Sequence, residues 1–257
     1  MALTRAVPTS IARCELTHLT REPIDFHRAV AEHHAYEAAL EALGCRVERL
    51  PDAADLPDAV FVEDTAVVFD ELAVITRPGA ASRRPEIGSV VSRLQGLRSL
   101  AFIQQPDTLD GGDVLVTPSR VFVGVSQRTS EGGARQLASL LAPLEIETSL
   151  IPIAECLHLK SAVTLVDDET LLINPEWIAA SHFPGFRLLQ VDPSEPFAAN
   201  VLRIGPHVLC ASHHPRTRQR LEAQKVATMA VDATELAKAE GGLTCCSLIL
   251  RDEVLGC

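Results

Sequence analysis

Short apolar runs come in pairs along this chain, each pair split by a polar turn. Residues 60–69 and 72–76 flank Asp70 and Glu71; residues 111–116 and 121–125 flank Pro118, Ser119 and Arg120. Residues 161–166 and 171–173 flank Asp167, Asp168 and Glu169, and residues 200–204 and 208–210 flank Gly205 and Pro206. A fifth run, 245–250, leads into a turn at Arg251, Asp252 and Glu253. Paired apolar runs around a polar gap predict hairpins.

Between the hairpins the spacing changes from two to about three and a half. Residues 24–43 place Ala29, Val30, Tyr36, Leu40 and Leu43 on one helical face, with Gly44 as the stop. Ser82 predicts a helix cap before Ile87, Val90, Val91 and Leu94. Further helices are expected near 130–142, after Asn174 and Pro175, and from Pro215. Single strands are expected at 1–7, 45–50, 100–103, 144–151, 186–191 and 226–231, and residues 8–23 read as irregular.

With Asp64, Asp113, Ser161, Asn200 and Cys245 as anchors, the hairpins recur at intervals of 49, 48, 39 and 45 residues. Near-constant spacing of one supersecondary unit predicts a repeat architecture. The last copy lacks a helix and strand, and the N-terminal part supplies an unpaired helix and strand at 24–50. That complementarity is what closing a ring of five requires, and a closed ring also protects strand edges. The expectation is an α/β class chain, a five-bladed α/β-propeller forming one domain over residues 1–257. A plain mixed sheet with coincidental spacing is the alternative.

In such a ring the residues leading into the first strand of each unit face one cavity. They are Glu63 and Asp64, Asp110 and Asp113, His158, Asn200, and Cys245. Singly, each has an ordinary reading: solvated turn acids, a hydrogen-bonded structural histidine, a small buried thiol. Together at one repeat phase they are the parts of a cysteine-nucleophile site. Paired carboxylates suit a planar guanidinium, and a bound cation lowers a thiol pKa that starts near 8.5. Histidine can protonate a departing amine and later activate water, with Asp110 accepting its other N–H. Cys246 is the rival nucleophile; adjacent strand residues face opposite sides, so only one of the two can point into the cavity.

Composition narrows the partners. A net charge of −11 argues against a nucleic-acid footprint. No apolar run approaches the ~18 residues of a membrane span, and the first residues lack the apolar core of a secretion signal. Seven cysteines without a CxxC pair suit a reduced, cytoplasmic setting. His33, His34 and Glu37 lack the HExxH pattern, and His213 and His214 precede a proline, so no metal cofactor is expected. Inhibitory capture of zinc by Cys245 and His158 is conceivable on ligand softness.

At FVEDTAVVFDELAVITRPGAASRR (61–84), TLDGGDVLV (108–116), LHLKSAV (157–163) and GGLTCCSL (241–248), the sequence resembles the dimethylarginine dimethylaminohydrolases of the guanidino-group-modifying, or pentein, superfamily. The resemblance runs over nearly the whole chain. It implies Cys245 as nucleophile, His158 as general acid/base and Asp110 as its carboxylate partner. It implies Glu63 and Asp64 as guanidinium-binding acids, and Arg83 and Arg128 as receivers of the substrate α-carboxylate. Asp58 and the backbone carbonyls of Leu16 and Ala239 would hold the α-ammonium, with residues 8–23 as a lid. Some bacterial relatives carry Glu where Asp110 stands, so its side chain must reach His158 with one methylene less. The implied activity is hydrolysis of Nω-methylated arginine to citrulline and a methylamine, without metal or organic cofactor, by a monomer or homodimer. Arginine deimination or amidino transfer on the same scaffold, and a non-catalytic ring-shaped binding protein, are the alternatives.

Overall fold

The computed structural model describes residues 1–251. The chain opens with β1 (Ala2–Thr4), α1 (Phe26–Ala42) and β2 (Val47–Arg49). Three hairpin–crossover–strand units follow: β3 (Ala66–Val68), β4 (Leu72–Ile75), α2 (Ile87–Leu94), β5 (Ser99–Phe102); β6 (Val114–Val116), β7 (Val121–Val125), α3 (Glu131–Leu141), β8 (Thr148–Pro152); and α4 (Leu159–Ala162), β9 (Val163–Asp167), β10 (Thr170–Ile173), β11 (Arg187–Gln190). The last stretch holds β12 (Leu202–Ile204), β13 (His207–Ala211), α5 (Pro215–Ala223), β14 (Ala227–Val231), α6 (Thr234–Ala237) and β15 (Leu248–Ile249).

The strands form five three-stranded sheets, each with an antiparallel pair and then a parallel one. Four use consecutive strands. The fifth joins the two ends: β1 pairs antiparallel with β15 and parallel with β2. The α-ammonium of Met1 donates to the carbonyl of Leu250 at 2.8 Å, clamping the seam.

Why these sheets form a ring is visible in the middle strands. In β4, Ala73 and Ile75 face a core shared with the β1 sheet, while Val74 faces one shared with the β6–β8 sheet. Phe122 of β7 points one way and Val121 and Val123 the other; Leu171 and Ile173 of β10 oppose Leu172; Leu209 of β13 opposes Val208 and Cys210. In β1, Ala2 and Leu3 likewise part company. A strand's two-residue period thus splits each middle strand between two neighbouring cores, so both faces must be apolar. Each of the five core clusters lies between successive sheets, and the fifth, with α1, lies between the β13 sheet and the β1 sheet.

Several expectations are corrected. No α-helix follows Asn174 and Pro175; the crossover holds one short 3-10 turn, Ala180–His182. Asn174 instead accepts from the Glu176 amide and donates to the Pro196 carbonyl, while Trp177, Ile178, Phe183 and Phe186 cover the sheet without a helix. Ser82 is not a cap: it lies within the 3-10 turn Ala81–Glu86, and its hydroxyl donates to Glu15 Oε1. The first strand of each hairpin starts later than its expected run, because a helical turn precedes it. The expected turn at 251–253 falls partly outside the described residues.

Candidate active site

Five short helical turns lead into the five first strands of the ring: Val62–Thr65, Gly111–Asp113, Leu159–Ala162, Pro196–Ala199 and Thr244–Cys246. Side chains and amides tie each turn to the next. Asp64 Oδ1 accepts from the Gly112 amide at 2.9 Å, and Asp113 Oδ1 from the Leu159 amide at 2.9 Å. Asn200 Nδ2 donates to the Lys160 carbonyl at 3.1 Å, and Asn200 Oδ1 accepts from the Thr244 amide at 3.1 Å. Thr244 Oγ1 then donates to Glu63 Oε2 at 2.7 Å, which returns to the first turn. The repeat-phase residues Asp113 and Asn200 are therefore clasps of this ring. Burial pushes the Asp113 carboxyl up to about 6, against the pull of His158.

Glycine is required where neighbouring turns touch. A Cβ on Gly112 would lie 2.6 Å from His158 Nδ1 and 2.8 Å from Asp64 Oδ1; one on Gly242 would lie 2.4 Å from the Asn200 side chain. The close approach is between parts of the protein.

His158 and Asp110 come together at one side of the ring, with 3.0 Å between Nε2 and Oδ2. Asp110 Oδ1 accepts from the Gly79 amide at 2.8 Å, which fixes the carboxylate, and His158 Nδ1 lies 3.8 Å from Asp64 Oδ1. Burial alone would lower the imidazole pKa. Asp64, Asp113 and Asp110 outweigh it and raise His158 to about 9, so the ring is an imidazolium at neutral pH.

Asp64 meets Arg83 Nη1 through Oδ2 at 2.5 Å. Burial opposes its charge, but His158 and Arg83 hold the carboxyl well below the usual range. Glu63, beside it, is bound by Lys160 and Thr244, yet burial raises its pKa. Lys160 escaped the sequence reading; Lys at the end of LHLK gives no signal until the ring carries it opposite Glu63.

Cys245 is 9 % exposed. The Gly242 amide donates to its Sγ at 3.3 Å. Burial, then the charges of Glu63 and Asp64, push this thiol up to about 12, with Lys160 pulling weakly the other way. The thiol is thereby kept protonated beside two acids. Cys246, 1 % exposed, packs into the same apolar cluster and its Sγ donates to the Gly242 carbonyl at 3.6 Å. Neither cysteine is on a strand: both belong to the 3-10 turn, so strand alternation is not what separates them.

Arg83 and Arg128 differ. Each nitrogen of Arg83 is directed at a protein acceptor: Nε at Glu86, Nη1 at Asp64, and Nη2 at Glu86 and the Asp58 and Phe61 carbonyls. Arg128 Nη2 donates to Thr17 Oγ1 at 2.9 Å, whereas its buried Nη1 has no hydrogen-bond partner and lies 3.9 Å from Asp110 Oδ2. Asp58 accepts the Glu15 amide through both oxygens, at 3.1 and 3.2 Å, and burial raises its pKa. Leu16 and Ala239 adjoin Cys245 in one apolar cluster. Asp64, Asp110 and His158 offer ligand atoms within 4.8 Å of one another. The imidazolium proton and the Arg83 guanidinium already occupy the field of these carboxylates, which disfavours a metal cation there.

A cavity of about 850 Å³ runs along the ring axis from the hairpin tips, lined there by Asp70, Arg120, Asp168 and Arg203. Glu63, Lys160 and Thr244 also line it, and Glu63 and Lys160 form an ion pair there.

The arginine deiminase family model matches residues 98–197. The chain is 40 % identical over 253 residues to the N(G),N(G)-dimethylarginine dimethylaminohydrolase of Streptomyces coelicolor, covering 98 % of this chain and 97 % of that protein. It is 31 % identical to the enzyme of that name from Pseudomonas aeruginosa, over 87 % of this chain and 89 % of that one. This chain belongs to the dimethylarginine dimethylaminohydrolase family. A Cys-to-Ser variant of the Pseudomonas aeruginosa enzyme, solved with citrulline, superposes with a TM-score of 0.92 at 29 % identity, covering 96 % of this chain and 97 % of that one. A structure of a dimethylarginine dimethylaminohydrolase as an S-methyl-L-thiocitrulline adduct superposes at 0.91, with 29 % identity over 96 % of this chain and 98 % of that one. The N-terminal domain of the cyanobacterial arginine dihydrolase ArgZ shares the fold at 0.88 with 16 % identity, covering 99 % and 98 % of the two chains. Within this family frame the five-sheet ring is a pentein α/β-propeller. No helix among the described residues is long and apolar enough to cross a membrane.

Proposed function

We propose that the protein hydrolyses Nω-methylated L-arginine to L-citrulline and a methylamine through a covalent Cys245 intermediate. The observation that carries this reading is geometric: Asp64 lies 3.8 Å from His158, His158 meets Asp110 at 3.0 Å, and Thr244, next to Cys245, donates to Glu63. The buried thiol, kept protonated first by burial and then by the charges of Glu63 and Asp64, therefore shares one site with the imidazolium and the acids. A guanidinium seated against those two carboxylates offsets the part of the suppression that comes from their charge, so the thiol gives its proton to solvent as the substrate binds and meets the cation as a thiolate. The thiolate attacks the guanidinium carbon. The His158 imidazolium gives its proton to the departing methylamine as the C–N bond breaks, leaving an S-alkylthiouronium on Cys245. Neutral His158 then takes a proton from water, whose oxygen attacks the same carbon. The thiol leaves and citrulline is released. Carbon changes partners without a change in oxidation state, so the balance calls for no redox or organic cofactor.

Asp110 orients and charges His158, and Arg83 holds Asp64 in place. The unpartnered Nη1 makes Arg128 the arginine ready to receive an α-carboxylate. Asp58, with the carbonyls of Leu16 and Ala239, takes the α-ammonium. The partner is a small molecule, and we place the protein in the cytoplasm as one catalytic domain.

A second reading, arginine deimination, draws on the deiminase family model over 98–197. Product analysis separates them: dimethylarginine and monomethylarginine should release dimethylamine and methylamine with citrulline, and arginine should release little ammonia. Ammonia from arginine as the dominant product would replace the first reading by the second. No amine from any of the three would favour a binding protein.

A further inference from the structure

One carboxylate at the site has no part in the reaction above. Glu240 accepts hydrogen bonds from three consecutive backbone amides of residues 8–23: Thr17 at 3.1 and 3.0 Å through its two oxygens, His18 at 2.6 Å and Leu19 at 2.5 Å. Other ties hold the same stretch: Asp58 takes the Glu15 amide, Arg128 reaches Thr17 Oγ1, the Ser82 hydroxyl donates to Glu15 Oε1, and Lys238 Nζ donates to the Pro23 carbonyl. These ties differ in kind. Asp58 and Arg128 are the groups that the reading above assigns to substrate, so ligand binding competes for them. Glu240 has no such assignment.

Its backbone is also informative. Glu240 follows α6 with φ +57°, the left-handed region where a β-carbon is unfavourable and helix ends usually place Gly. Glycine follows it immediately, at Gly241 and Gly242. A side chain kept in a position that suits Gly implies that the side chain has a use. Glu240 also begins the run that ends in the nucleophile turn, where the Gly242 amide donates to Cys245 Sγ.

We propose that Glu240 is the latch of a lid: its carboxylate gathers the Thr17, His18 and Leu19 amides and holds residues 15–19 closed over the site, from the same backbone run that presents Cys245. It is a positioning residue, acting through the lid. The inference rests on the reading that this site takes a methylated arginine, but its first test needs no substrate.

The variants are Glu240→Gly, which suits the backbone conformation and removes the latch, and Glu240→Gln, which keeps one acceptor oxygen and loses the charge. Amide hydrogen exchange of the substrate-free protein should quicken at residues 17–19 by about ten- to a hundredfold in Glu240→Gly, the range that loss of charge-assisted hydrogen bonds gives. Exchange in the five sheets and the thermal midpoint should not move against it, and Glu240→Gln should fall between. In turnover, KM for dimethylarginine should rise by about that factor with kcat changed much less, because bound substrate still closes the lid. Unchanged exchange at 17–19 in Glu240→Gly overturns the latch, even if turnover proves the substrate reading correct. Exchange rising equally across the sheets, with a lowered midpoint, assigns Glu240 to the fold and overturns it as well. Failure of the substrate reading would instead appear as no amine released by the unaltered protein while the exchange effect persists.

Discussion

Thr244 Oγ1 donates to Glu63 Oε2 at 2.7 Å, joining residues 181 positions apart in the chain. The residue before Cys245, the proposed nucleophile, is thereby bonded to an acid whose charge raises that thiol's pKa. The contact closes the circle of hydrogen bonds between the five helical turns, so the geometry of the thiol depends on the whole ring.

The two adjacent thiols should behave differently. Cys245→Ser is expected to lose turnover by at least about a thousandfold, since an alcohol is too weakly acidic for a bound cation to ionise. Cys246→Ser should keep turnover within about tenfold, with some loss of stability from a polar group in an apolar cluster. A cationic amidine electrophile should label the unaltered protein once, at Cys245, and faster than neutral iodoacetamide does near pH 7, because the cation lowers the thiol pKa as it binds. Mass spectrometry of the labelled peptide reads the site. Labelling of Cys246 in an active enzyme would reverse the assignment.

Removing the Asp110 charge should shift a pH profile. The imidazolium must be present to protonate the leaving amine, so activity falls as pH rises through the His158 pKa of about 9. Asp110→Asn deletes one of the carboxylates that raise it, and the alkaline limb of kcat/KM should move to lower pH by about one unit, with a rate loss of about 10²–10⁴. The stability consequence has the matching sign. A histidine raised in the folded state stabilises fully below its unfolded pKa of about 6.5 and loses that contribution as pH rises through about 9. Thermal midpoints of the unaltered protein should therefore decline from pH 7 to pH 10 more steeply than those of Asp110→Asn. Identical alkaline limbs in the two proteins would remove Asp110 from this role.

The Glu63–Lys160 pair should be costly to break on one side only. Lys160→Met leaves a buried carboxylate without its counter-ion, which costs about 3–5 kcal/mol. Glu63→Gln in the Lys160→Met background should recover a large part of that stability, because no unpaired charge remains. Denaturant midpoints of the two single variants and the double variant form the cycle. Additive losses would mean that the pair is not coupled.

Much of the ring was legible in one dimension. The middle strands face apolar neighbours on both sides, which makes them continuous apolar runs, and the turn residues between hairpins are local chemistry. The missing helix after Asn174 was not legible. Asn and Pro suit a helix start, but whether the next residues coil or lie flat depends on whether Trp177 and Phe183 can cover the sheet directly. The same holds for Ser82, drawn away from capping by Glu15 from a distant segment.

The sequence by itself determined the unit, its number of copies, and the residue types at the equivalent phase, because period and turn chemistry are local properties. Only the tertiary structure decided which of those residues hold the ring and which face the reaction. Asp113 and Asn200 were spent as clasps, Arg83 was turned onto Asp64, and Lys160 and Glu240 gained roles that no neighbouring residue announces. The reason is physical: a carboxylate, amide or cation acquires its function from partners within a few ångströms, and closing a ring of five brings together groups that the chain keeps far apart.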